Sequence, residues 1–214
     1  MKLYTYSNSS AAFRVRIAMN LKGVAPDYTF VSLIKDGGEQ HKAEYRAVNP
    51  QEFVPTLDVG GHLIGQSLAI VEYLDETHPT PPLLPTYPLA KARVRQIALA
   101  VACDMHPVNN LSVRQYLKTG MKHSDAEIAQ WYEHFIHRGF KPIEALLANS
   151  PETGVFCHGN APTLADICLV PQVYNARRYK ISLDAYPTIV RIDEAARALP
   201  AFANAAPEKQ PDAA

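Results

Sequence analysis

Two serines, Ser9-Ser10, stand at the start of a helix-forming run that carries Arg14-Val15-Arg16. A second run, Val54-Pro55-Thr56-Leu57, reads as a strand entered through proline, followed by a Gly60-Gly61 turn, a short strand and a helix opening at Gln66-Ser67. A cis bond before Pro55 would turn the Val54 backbone outward, so that its N–H and C=O could pair with an extended peptide as an added strand does. Gln66 and Ser67 then sit at a helix N-terminus, where free N–H groups, the positive dipole end and a hydroxyl suit a carboxylate. Together the two runs outline a pocket for a small peptide.

These runs must be positioned by a small α/β domain. Residues 1 to about 80 alternate short β-like runs (2–6, 28–31, 56–59 and 62–64) with amphipathic helices. The helices are expected over 11–22, closed by Gly23, around 39–47, ended by Asn49-Pro50, and over 67–77. The stretch His78-Pro79-Thr80-Pro81-Pro82-Leu83-Leu84-Pro85 is too rich in proline to be helix or central strand, so a linker is placed at 81–88. From residue 89 to 214 the pattern is helical almost throughout, with helices expected over 89–117, 124–147, 163–179 and 186–199 and a poorly ordered tail after Ala205. Thr163-Leu164-Ala165-Asp166 has a capping threonine with an acid three residues on, a helix-start signal whose expected role is stability.

Composition narrows the function classes. With 214 residues, 47% of them hydrophobic, the chain can bury a core in one or two domains. A formal net charge of zero leaves no electrostatic footprint for nucleic acid or a membrane surface, and a small organic ligand fits better. The segment Met1-Lys2-Leu3-Tyr4 lacks a basic and apolar leader pattern and no apolar run reaches membrane-span length, so a cytoplasmic protein is expected. Cys103, Cys157 and Cys168 are odd in number and lack CxxC spacing, which argues for reduced, structural thiols. His134 and His137 share a helix face, but no carboxylate or cysteine at ligand spacing completes a metal site, and none is expected.

An N-terminal thioredoxin-like α/β domain joined to an all-α C-terminal domain resembles the cytosolic glutathione transferases. The segment Ser9-Ser10-Ala11-Ala12-Phe13-Arg14-Val15-Arg16-Ile17-Ala18 is similar to the zeta-class signature Ser-Ser-Cys-x-x-Arg-Val-Arg-Ile-Ala, the class that includes maleylacetoacetate isomerase. Leu33 to Gly38, Gln66 to Ile70, Asn110 to Val113, Leu169 to Val173 and Gln210-Pro211-Asp212 also resemble zeta-class segments, so the similarity spans nearly the whole chain. It departs at Asn8 and Ala11, where the class has arginine and cysteine.

The resemblance implies a glutathione-dependent isomerase. A thiol with a pKa near 8.5 is mostly protonated at neutral pH, so such an enzyme must stabilise the thiolate. Read locally, Ser9 is a helix cap; the resemblance makes it the thiolate-stabilising residue, with Ser10 a second donor or the true cap. It also implies Val54 against the cysteinyl portion of glutathione, Gln66 and Ser67 at the γ-glutamyl carboxylate, Gln40 at the glycyl end, and Arg14, His106, Asn110, Leu111 and Ser112 around the pocket. Arg178 matches the arginine that zeta enzymes point at the substrate, while Arg177 is expected to face solvent. The implied reaction converts maleylacetoacetate to fumarylacetoacetate; the alternatives are isomerisation of maleylpyruvate or conjugation of electrophiles such as halo acids. The lack of arginine at Leu111-Ser112 favours maleylacetoacetate, a dicarboxylic enedione. Kinship also implies a homodimer.

Overall fold

The computed structural model describes residues 1–213. They form two compact units, one of Met1–Pro82 together with the segment from Ala198 onward, the other of Leu83–Arg197.

The first unit is built on a four-stranded sheet of order β2-β1-β3-β4, with β1 (Lys2–Thr5), β2 (Asp27–Phe30), β3 (Thr56–Val59) and β4 (His62–Ile64). Strands β1 and β2 run parallel, joined through helix α1 (Ser10–Lys22), whereas β3 is antiparallel to both β1 and β4. Leu3 and Leu57 face each other across the β1–β3 ladder and are fully buried. Helix α1 ends where Gly23, at φ 66°, turns left-handed and the N–H groups of Gly23 and Val24 reach back to Asn20 and Met19, a conformation that glycine adopts without Cβ strain. The expected helix at 39–47 resolves into a 3-10 turn over Glu39–His41 and the short α2 (Ala43–Val48). Helix α3 (Ser67–Thr77) presents Ile70, Val71 and Leu74 to the core.

The tail does not belong to the helical unit, nor is it loose. Helix α9 (Pro200–Ala203) lies against α1, and beyond it Asp212 accepts the Ser7 N–H at 2.9 Å while Arg16 Nε donates to the Ala205 carbonyl at 3.0 Å. The helical pattern of residues 186–199 gave no sign that the chain turns back onto the first unit at Ala198. Nor is the proline-rich stretch a free linker up to residue 88: Leu83 is buried and its carbonyl accepts the Leu164 N–H at 2.9 Å within the second unit.

The second unit contains α4 (Pro88–Leu99), α5 (Leu111–Gln115), α6 (Asp125–Ala148), α7 (Leu164–Arg178) and α8 (Pro187–Arg197). The single helix expected over 89–117 is interrupted: a π-helical turn spans Ala100–Met105 and a 3-10 turn spans Pro107–Asn109. Pro107 cannot donate to the preceding turn, so α5 has to restart, with Asn110 as its cap. Ser124 and Glu127 form a capping box at the start of α6, and Thr163 and Asp166 form another on α7. Asp166 is fully buried and accepts the Cys157 and Thr163 N–H groups and the Thr163 hydroxyl. Arg177 is not simply a solvent-facing charge: it pairs with the fully buried Asp193, which Arg197 also holds at 2.8 Å. No helix among the described residues is long and apolar enough to cross a membrane.

Candidate active site

Ser9 is the cap of α1, with extended backbone (φ −84°, ψ 117°) and its Oγ accepting the Ala12 N–H at 3.2 Å. Ser10 is the first helical residue, so it is not the cap. A serine hydroxyl carries one proton and two lone pairs, so the capping bond occupies an acceptor position and leaves the proton able to donate outward. No acidic side chain lies in the first turn of α1 to neutralise its positive end. The cap reading and the thiolate-donor reading of Ser9 are therefore compatible.

Arg14, two per cent exposed, runs from α1 to the start of α3, where its Nη1 donates to Ser67 Oγ at 3.3 Å. Ser67 is buried, and Gln66 before it caps α3 with φ 65° and ψ 115°. A positive φ in a residue with a Cβ costs roughly 1–3 kcal/mol and is kept where the surroundings demand it. The Gln66 side chain is exposed and donates to Gln51 Oε1 at 3.0 Å. Gln66→Gly is expected to hold the thermal midpoint or raise it slightly while weakening glutathione binding about tenfold, as calorimetry would measure.

The Val54–Pro55 bond is cis. The β1–β3 ladder reaches only to Thr56, so Val54 lies outside it. Its side chain is buried with Tyr6, Val31 and Tyr45. The preceding Phe53 carbonyl is fixed by the Tyr45 hydroxyl at 2.6 Å and by Asn49 Nδ2 at 2.8 Å, which orients the backbone at Val54. Gln40 is buried, its amide nitrogen 3.0 Å from His41 Nε2 and its Oε1 without a hydrogen-bond partner. A Cβ on Gly38, at φ 110°, would lie 2.5 Å from that amide, so the glycine makes room for it. His41 bonds Glu52, which Arg46 also pairs at 2.6 Å; the His41 bond is the main cause that lowers the Glu52 carboxyl pKa.

In the second unit, His106 is half-buried just before Pro107. Asn110 Oδ1 accepts from Val113 N at 3.0 Å and from Ser112 Oγ at 2.7 Å, so local capping engages both Asn110 and Ser112. Leu111 is half-buried. Arg178, the last residue of α7, is exposed and makes no ion pair among the described residues. The structure thus gathers Ser9, Ser10, Arg14, Gln66 and Ser67 around the starts of α1 and α3. Near Asn110 in sequence, Arg114 Nη1 donates to the Tyr179 hydroxyl, and Tyr132 lies tilted beside Tyr179, a cluster that sequence reasoning did not single out. The available signal was position alone: Arg114 stands one helical turn after Asn110.

The family model for the glutathione S-transferase N-terminal domain matches residues 3–82, and that for the C-terminal domain matches residues 125–204. These matches define a two-part glutathione transferase fold. A probable maleylacetoacetate isomerase of Vibrio cholerae is 48% identical over 99% of this chain and 97% of its own length. The holo structure of a maleylpyruvate isomerase, a bacterial zeta-class glutathione S-transferase, superimposes with a TM-score of 0.97 at 46% identity and covers 100% of both chains. A maleylacetoacetate isomerase from Methylobacterium extorquens AM1, crystallised with malonate and glutathione, gives 0.96 at 42% identity over 100% of both chains. The chain belongs to the zeta-class glutathione transferase family of maleylacetoacetate and maleylpyruvate isomerases.

Proposed function

We propose that this protein is a glutathione-dependent cis-trans isomerase acting on maleylacetoacetate. The observation that carries the reading is Ser9, whose hydroxyl caps α1 through a lone pair and keeps its proton for a ligand at the helix's positive end. The residues fit glutathione: Gln40 has a buried, unpartnered carbonyl oxygen, Gln66 is held in a costly backbone conformation, and Val54 lies outside the ladder. When bound, glutathione supplies a thiolate that adds reversibly to the cis double bond, so the bond becomes single, rotates, and re-forms as trans when the thiolate leaves.

Ser9 donates to the sulfur, and Ser10 assists from the first turn of α1. Ser67 and Gln66 receive the γ-glutamyl carboxylate, with Arg14 polarising the Ser67 hydroxyl from the buried side. The Val54 backbone pairs the cysteinyl portion and Gln40 takes the glycyl end. His106, Asn110, Leu111 and Ser112 belong to the ligand-facing set of the second unit, and Arg178 supplies a planar fork for a substrate carboxylate. The protein acts as a cytoplasmic homodimer on a dicarboxylic enedione.

A second reading, maleylpyruvate isomerisation, has its own support. The lack of arginine at Leu111-Ser112 favours maleylacetoacetate, but Arg114 restores a cation one turn further along the same helix. The test is an ultraviolet assay of both substrates with total glutathione quantified before and after. Isomerisation with glutathione conserved is the expected result, with maleylacetoacetate the faster substrate. Glutathione consumed by a halo acid without isomerisation would replace this reading with a conjugating transferase.

A further inference from the structure

We infer, resting on the glutathione reading of the first unit, that Glu52 and His41 form a positioning pair that fixes which way the Gln40 amide points and thereby sets how tightly the glycyl end of glutathione is held. Both residues stand behind the ligand-facing amide and act through it.

Glu52 has φ 58°, a left-handed conformation that is uncommon for a residue with a Cβ and is kept where the surroundings demand it. Its N–H donates to the Asn49 carbonyl at 2.9 Å, closing the turn ahead of Phe53 and Val54. The carboxylate serves two partners with separate oxygens: Oε1 pairs Arg46 Nε of α2 at 2.6 Å, and Oε2 bonds His41 Nδ1. Glu39, the acid nearest in sequence to His41, is already engaged by the Ser32 N–H at 2.8 Å and by Lys42, which also pairs Asp36. On the far side of the imidazole, His41 Nε2 lies 3.0 Å from Gln40 Nε2.

The protons run in one direction along these side chains. A carboxylate only accepts, so His41 Nδ1 carries the proton that faces Glu52. In the neutral imidazole Nε2 is then the acceptor, and it takes an N–H of the Gln40 amide. The opposite amide orientation would set Oε1 against the Nε2 lone pair. Gln40 is therefore left with one N–H and with Oε1, which is buried without a hydrogen-bond partner among the described residues. Gly38 walls the amide, since a Cβ there would lie 2.5 Å from Nε2 and 2.7 Å from Oε1. A donor beside an acceptor suits the carboxylate and peptide N–H of a C-terminal glycine, and an amide already held in place loses less freedom when the ligand arrives.

The test is calorimetric binding of glutathione and of γ-glutamylcysteine, which lacks the glycine, to the full chain and to Gln40→Ala, His41→Leu, Glu52→Gln and the double variant Gln40→Ala/His41→Leu. Glutathione affinity should fall about fivefold in Gln40→Ala and in His41→Leu, and about threefold in Glu52→Gln, while γ-glutamylcysteine binds every protein within about twofold. The double variant should bind glutathione no worse than Gln40→Ala, because His41 acts only through that amide. A further loss in the double variant, equal losses for both probes, or full glutathione affinity in His41→Leu would overturn the positioning pair and leave His41 a surface partner of Glu52. Failure of the unmodified protein to bind either probe would instead overturn the glutathione reading. Should Gln40→Ala not fold, His41→Leu and Glu52→Gln are combined: losses that do not add support the pair, and losses that add overturn it.

Discussion

Ser9→Ala is expected to lower kcat/KM for isomerisation by roughly 100- to 1,000-fold, the loss found when one donor to a developing or resident anion is removed. A hydrogen bond to a charged acceptor contributes about 1.5–3 kcal/mol, so the pKa of bound glutathione, followed by thiolate absorbance, should rise by about one to two units. Glutathione should still bind, because the residues assigned to its two ends remain. Alanine also removes the cap to Ala12, at a cost of about 1 kcal/mol in stability. The two roles separate in Ser9→Gly, since glycine substitutes for a serine cap at a cost of only a few tenths of a kcal/mol. If catalysis depends on the hydroxyl, Ser9→Gly should lose as much turnover as Ser9→Ala while melting close to the unmodified protein. Normal turnover in Ser9→Gly would reduce Ser9 to a structural cap.

Arg16→Met should produce the largest loss of stability. Arg16 is one per cent exposed and donates to the carbonyls of Tyr6 at 3.1 Å, Ser7 at 2.9 Å and Ala205 at 3.0 Å, and to the Thr5 hydroxyl at 3.3 Å. Methionine fills much of the same space over Phe13 but offers no donor. Stranding buried acceptors once served by a charge costs about 3–5 kcal/mol, which at about 2–4 °C per kcal/mol predicts a drop of roughly 10 °C in thermal midpoint. Activity should fall even well below that midpoint, because the Tyr6 carbonyl that Arg16 holds also accepts the Ser9 N–H at 3.1 Å. Hydrogen exchange should locate the damage in the β1–α1 junction and in residues 198–213 together. Loss confined to the tail would mean that the junction is held by other contacts.

Much of this architecture is legible from residues read in order. The end of α1 at Lys22, the four strands, the start of α3 at Ser67 and the capping box of α7 follow from local signals: a serine before an apolar helix, Gly23 after α1, an acid three residues beyond Thr163. What escapes that reading depends on partners distant in sequence. Arg177 looks like a surface charge until Asp193 arrives from α8, and Asp212 looks like part of a polar tail until it meets Ser7. Arg114 shows the same limit in the second unit. Its type and position are plain in the sequence, but only folding brings Tyr132 and Tyr179 to hold it.

The return of the C-terminal segment onto the first unit imposes an order of events during synthesis. Domains commonly fold as they emerge, at about 5–20 residues per second, yet here the first unit lacks its closing piece until the entire second unit, Leu83–Arg197, has been made. For roughly 6–23 s of elongation, α1 has no α9 beside it, Arg16 lacks the Ala205 carbonyl and Ser7 lacks Asp212. The nascent β-α-β core must therefore survive on its own sheet and on α3. Its stapling awaits emergence of the segment that carries Ala205 and Asp212, so that a chain cut before them leaves the serine-bearing end unfinished.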